Sequence, residues 1–110
     1  MKNFQATAVE KRVKVTGDFF SQPMEAGWAS EALFFLWVEE VTALEQPLDI
    51  AVQLSADGMN WIDEGTVLPG VQAAGHYFVR VKHFGNWLRL AVKTSRSATV
   101  KLSVYLHLKG

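Results

Sequence analysis

Apolar and polar side chains alternate along much of this chain. Between residues 48 and 55, Ile50, Val52 and Leu54 alternate with Asp49, Ala51, Gln53 and Ser55, the period of a strand with one face in a core. The clearest stretch is the last: Val100, Leu102, Val104, Leu106 and Leu108 share one face, and Lys101, Ser103, Tyr105, His107 and Lys109 the other. Residues 87–94 repeat the pattern with Leu88, Leu90 and Val92 inward. Residues 76–83 set Tyr77, Val79 and Val81 against Phe78, Arg80 and Lys82. A first strand over 7–16 places Val9, Val13 and Val15 together, and a short one is expected over 61–67.

Turn chemistry separates these runs. Ala56-Asp57-Gly58 joins a glycine tolerant of positive φ to an aspartate that bonds the turn's own backbone. Thr16-Gly17-Asp18, Leu68-Pro69-Gly70, Gly85-Asn86 and Ser95-Arg96-Ser97 read as further turns, and 19–27, with Pro23 and Gly27, as a loop. Seven or eight short strands without alternating helices predict an all-β fold, an antiparallel β-sandwich of jelly-roll type, as a single domain over 1–110. The expected core is Ile50, Val52, Leu54, Leu88, Leu90, Val92, Leu102, Val104 and Leu106.

One segment departs from alternation. Residues 32–38, ALFFLWV, are apolar at every position. Aromatic and β-branched content favours a strand, and such a strand is covered on both faces; a helix over EALFFLWVEEVTAL is the alternative. The second cover is a loop, the pair Phe19-Phe20 acting as a plug, or another protein. In the last case Phe34 and Leu36, or else Phe35 and Trp37, form the contact, and the chain is a homo-oligomer or a subunit of a larger particle.

Composition narrows the class. At 110 residues, 49% hydrophobic and 20% charged, the chain reads as globular. Without cysteine, disulfides and thiolate zinc sites are excluded. No apolar leader is visible at the start, and no apolar run is long enough to span a bilayer, so a cytoplasmic or particle-bound location and no membrane partner are expected. Net charge is zero but segregated: residues 15–64 hold ten acids and no Lys or Arg, and 65–110 hold seven bases and no acid. Cross-strand pairing within one sandwich accounts for this. An acidic side docking head-to-tail on a basic side of the next copy is the sharper alternative.

Catalytic and metal signatures are sparse. His76, His83 and His107 lack ligand spacing, and no phosphate loop or nucleophile elbow occurs. Asp57, Asn60, Asp63 and Glu64 form an oxygen-rich segment without EF-hand spacing. Glu39, Glu40, Asp63 and Glu64 are not marked as a facing carboxylate pair. The chain therefore reads as a non-enzyme with no cofactor. The basic, aromatic last third is offset by the upstream acids, and no nucleic-acid partner is expected. Of the tryptophans, Trp28 and Trp61 are the candidates for stacking on a sugar ring.

LSADGMNW resembles the strand–turn–strand of discoidin-like, galactose-binding jelly rolls, and YFVRVKHFGNWLRLAV resembles their later strand pair. Both pieces are also similar to small β-sandwich structural proteins of phage and prophage particles. The likeness spans residues 49–92 and carries over no ligand residue. It implies a virion component (capsid decoration, neck or tail accessory) that contacts itself or other particle proteins, with a carbohydrate-binding module as the alternative and a glycan as its ligand.

Overall fold

A computed structural model describes residues 3–82, 84–94 and 97–110; His83 and the expected turn at Ser95-Arg96 lie outside the described residues. Its strands are β1 (Phe4–Thr16), β2 (Phe19–Phe20), β3 (Met24–Glu25), β4 (Glu31–Thr42), β5 (Leu48–Ser55), β6 (Ile62–Val71), β7 (Gly75–Val81), β8 (Trp87–Lys93) and β9 (Thr99–Lys109). They form two antiparallel sheets, one ordered β1-β9-β4-β7 and the other β2-β8-β5-β6 with β3 also on β8. From β4 onward the chain crosses between sheets after every strand except within the β5–β6 hairpin, and the result is a jelly-roll sandwich. No helix among the described residues is long and apolar enough to cross a membrane.

The core lies where alternation placed it. Ile50, Val52, Leu88, Leu90, Val92, Leu102, Val104 and Leu106 are buried, and Leu54 is partly buried against them. Central β9 contributes most, because it pairs with β1 on one side and β4 on the other.

Residues 32–38 are strand, not helix. The register settles which face is which: Phe34 sits opposite Val79 on β7 and Leu106 on β9, and Leu36 opposite Tyr77 and Val104. Ala32, Phe34, Leu36 and Val38 therefore enter the core, at most 6% exposed. The expectation that Phe34 and Leu36 could form an outer contact is corrected by this burial. Leu33, Phe35 and Trp37 take the outer face and are half-buried.

Three other expectations change. The loop over 19–27 contains β2 and β3, two short edge pieces docked on β8, and Ser21 ties it down by accepting from the Leu90 N–H at 2.8 Å and donating its own N–H to the Leu90 carbonyl at 2.9 Å. Phe19 and Phe20 thus belong to the other sheet and do not cover the outer face of β4. Leu68-Pro69-Gly70 is no chain reversal: the pairing jumps from Leu48–Val71 to Ile50–Leu68, so Pro69 and Gly70 (φ 78°) form a bulge. β6 is a sheet edge, where a proline's missing N–H interrupts no ladder. Lastly, β1 carries register shifts between Ala8 and Val13, and Val9 and Val13 are only half-buried.

The charge blocks interleave in space. Glu31 pairs in register with Lys109, Glu40 with Lys101, and Asp49 with Lys93. Arg12 and Lys101 both approach Glu39, at 3.3 and 3.6 Å. Acids of the middle block stand beside bases of the ends, so head-to-tail docking of an acidic side on a basic side loses its premise.

Candidate functional site

The β5–β6 turn is built from the inside outward. The buried Ser55 hydroxyl accepts the N–H groups of Asp57 and Gly58 at 3.2 and 2.9 Å and donates to Asp57 Oδ1 at 2.9 Å. Asp57 Oδ1 accepts from the Met59 and Asn60 backbones at 2.9 and 2.8 Å, and Oδ2 from the Asn60 side chain at 2.7 Å. Gly58 has φ 78° and lies so near the Trp87 ring that an added Cβ would approach it to 3.2 Å. Both Asp57 oxygens are thus committed to the turn. Asp63 accepts from Gln53, and Glu64 from the Thr66 hydroxyl. No grouping of three metal-ligating acids or histidines occurs among the described residues.

Hydrogen bonds from the Asn60 and Met59 backbones, then from the Asn60 and Ser55 side chains, hold the Asp57 carboxyl well below the usual carboxylate range. A depressed folded-state pKa contributes stability that is present above the unfolded value, near 3.9, and is lost as pH falls through the folded value. Asp57→Asn is therefore expected to melt lower than the parent at neutral pH. The gap should narrow as pH falls below about 4, which thermal melts over a pH series would measure.

Outside the core, two surfaces carry chemistry, one on each sheet. On the β1-β9-β4-β7 sheet, Leu33, Phe35 and Trp37 of β4 meet outward residues of β9 and β7. Phe35 lies edge-on to His107 (4.8 Å between centroids) and tilted to Phe78 (6.4 Å). His107 is also edge-on to Phe4 at 5.4 Å, and Trp37 stacks on His76 at 5.2 Å and 14°. Phe4 is 57% exposed and Phe78 48%. Rings from four neighbouring strands thus form one aromatic face, on which the Arg80 guanidinium carbon stands 5.1 Å from the Phe78 centroid and Lys109 Nζ 5.9 Å from that of Phe4. At its upper end a groove of about 460 Å³ runs past Phe4, Leu33 and His107 between Arg80, Lys82 and Lys109.

On the other sheet, Arg89 of β8 points outward between two rings. Its guanidinium carbon stands 4.3 Å from the centroids of both Phe20 and Trp61. Arg89 Nε donates to Gln53 Oε1 at 2.8 Å, and Gln53 Nε2 donates to Asp63 Oδ1 at 3.1 Å. Desolvation shifts the Arg89 pKa down from its ordinary value. Of the two candidate stacking residues, Trp61 belongs to this cluster. Trp28 lies in the β3–β4 connection against Gly110, away from these elements in the chain.

A family model described as a domain of unknown function, DUF6385, matches residues 42–110. The chain belongs to that family. The DUF6385 segment runs from the end of β4 through β9, so it contains Gln53, Trp61, Asp63 and Arg89, but not Phe20, Phe35 or Trp37. No curated protein matches the chain. Among solved structures, the PBSX exported protein XepA superposes with a TM-score of 0.66 at 10% identity, covering 94% of this chain and 36% of that one. A chain of infectious bursal disease virus, Gx strain, gives 0.51 at 10% identity, covering 97% and 32%. A family 29 carbohydrate-binding module complexed with cellulohexaose gives 0.50 at 7%, covering 94% and 90%. The chain spans about a third of the length of the first two. At these identities the likeness is one of fold.

The aromatic face was half legible: Phe35 and Trp37 stood among the candidates, but Phe4, Phe78 and the two histidines join them only through strand register. The Arg89 cluster was missed apart from Trp61. Its members lie at outward positions of separate strands, and no local spacing links them.

Proposed function

We propose that this protein is a non-catalytic structural subunit of a phage-like particle, and that it assembles through the outer face of the β1-β9-β4-β7 sheet. The observation that carries the reading is the outer sheet face on which Leu33 stands among the rings of Phe4, Phe35, Trp37, Phe78 and Tyr105. A jelly roll needs only its inner faces apolar, and a large exposed apolar patch marks an interaction surface. The occupant is a second copy of the chain. The molecule measures 46 × 26 × 20 Å, so its broad side has room for the roughly 800 Å² per partner of a stable interface. Like faces packed across a two-fold axis bury the same rings from both copies. The sandwich shared with an exported protein of PBSX and with a chain of a virus is a likeness of fold compatible with this reading.

Sedimentation velocity tests this. The wild-type chain is expected to run as an oligomer that persists at high salt, because apolar contacts are not screened as exposed ionic ones are. Each ring is already half covered in the monomer, so exchanging Phe35 and Trp37 together for glutamate should weaken association on the order of 100-fold, by lost burial and added carboxylate desolvation. The far-ultraviolet spectrum should not change. A wild-type chain that is monomeric at every concentration and fails to co-sediment with particles overturns the proposal.

A further inference from the structure

We propose that the outer face of the β5–β8 strand pair is a binding trough for a neutral oligosaccharide. The trough lies on the sheet opposite the assembly face and does not rest on the assembly reading. Its floor is the half-buried Ala51, with Ala91 directly opposite across the two strands and almost closed over at 2% exposure. Their methyl groups leave a depression of about 80 Å³ bordered by Asp49, Gln53, Asp63 and Lys93.

One end of the trough is held rigid. Arg89 is clamped between Phe20 and Trp61 and bonded through Nε to Gln53, which in turn bonds Asp63. The two partners fix the orientation of the Gln53 amide. The terminal nitrogens of Arg89 and the second oxygen of Asp63 lie outside this chain of bonds. Ordering an arginine normally costs side-chain entropy; here the rings and the amide have already imposed that order, and preorganised donors bind with less loss. The other end stands open. Asp49 and Lys93 occupy paired positions, yet among the described residues they do not close to ion-pair distance.

Charge selects the ligand class. Two cations, Arg89 and Lys93, face two carboxylates, Asp49 and Asp63, so the trough has no net charge with which to favour an ion. Each end carries one cation and one carboxylate, Arg89 with Asp63 at one and Lys93 with Asp49 at the other. A hydroxyl is both donor and acceptor and suits such a mixed border at any point. Phe20, 41% exposed, and the half-buried Trp61 offer apolar ring surface beside the polar groups, to which the C–H face of a sugar ring is complementary. The depression holds only part of one sugar unit, so affinity should come from several weak contacts along a chain and lie at roughly millimolar or somewhat tighter.

The test is a nuclear magnetic resonance titration of the full chain with β-1,4-linked hexasaccharides of glucose, xylose, mannose and galactose. Sialyllactose and a zwitterionic pentapeptide serve as charged probes. At least one neutral hexasaccharide is expected to shift the Gln53 side-chain amide and the Trp61 indole N–H. Gln53→Ala should weaken binding about tenfold or more. So should Ala51→Leu, which fills the trough and removes no polar group. Trp37→Ala, on the assembly face, should leave glycan binding unchanged while loosening self-association, so the two proposals fail separately. Absence of shifts with every hexasaccharide overturns the inference, as does a response only to sialyllactose or the peptide. Should a variant fail to fold, the wild-type shift map alone decides.

Discussion

Phe34→Ala is expected to lower the stability of this protein by about 3–5 kcal/mol, while Phe35→Ala, one position along, should lower it by only about 1–2. Phe34 is 1% exposed, paired in register with Val79 and Leu106, and among the largest fully buried side chains. Truncating it removes a buried ring and leaves a cavity that strands on both sides cannot collapse to fill. Phe35 is half-buried on the outer face and holds two aromatic neighbours, His107 and Phe78. Its loss forfeits partial burial and two aromatic contacts at the low end of the usual range, about 0.5 kcal/mol each, with solvent filling the space. Urea unfolding of both variants, at a concentration where the parent is monomeric, measures the difference. Equal losses would mean that the outer face is covered in the isolated chain, and the assembly surface would not exist as described.

That pair also marks where the sequence stops being informative. In β5, β8 and β9 the large aliphatic residues share one parity, so polarity tells which of them enter the core, although Ser55, Ala91 and Ser103 of the opposite parity are buried as well. β4 has apolar side chains at both parities. Nothing local distinguishes Phe34 from Phe35; the distinction arises when β4 aligns with β7 and β9, whose own alternation is unambiguous. Around Phe35 its outer face is apolar because the neighbouring outward positions are Phe78 and Tyr105, with His107 against the ring, while Leu33 at the end of the strand faces Arg80. The trough was hidden for a related reason. Ala51, Gln53, Arg89 and Ala91 are ordinary outward residues of two strands, and only their pairing across β5 and β8 brings small residues together as a floor with polar groups at its rim. Pro69-Gly70 misled in the opposite direction, since an edge strand accepts as a bulge what a central strand would reject.

The irregularity in β1 leads to the second large effect. Between Glu10, opposite Val104, and Val13, opposite Leu102, two residues of β1 face the single Ser103 of β9. Arg12 takes φ 54° there, a left-handed conformation that costs an L-residue roughly 1–2 kcal/mol. The bulge also takes the Arg12 N–H out of the ladder, and the Ser103 hydroxyl, fully buried, accepts it at 2.9 Å. Ser103→Ala is expected to destabilise by about 1–3 kcal/mol, because a donor then lies against the sheet with no acceptor. For a chain of this size that corresponds to a melting point lower by roughly 4–8 °C per kcal/mol. Arg12→Gly should act in the other direction. Glycine relieves the strained φ, while the ion pair lost with Glu39 involves an arginine side chain that is 60% exposed and is worth about 0.2–1 kcal/mol. The net should be a gain of up to about 1 kcal/mol, partly offset by glycine's greater freedom in the unfolded chain. Thermal melts of both variants and of the double variant test the account. If the bulge is held by the hydroxyl, the glycine should not rescue Ser103→Ala, since the orphaned N–H remains. Full rescue would mean that relief of strain, and not the buried hydrogen bond, governs this part of the sheet.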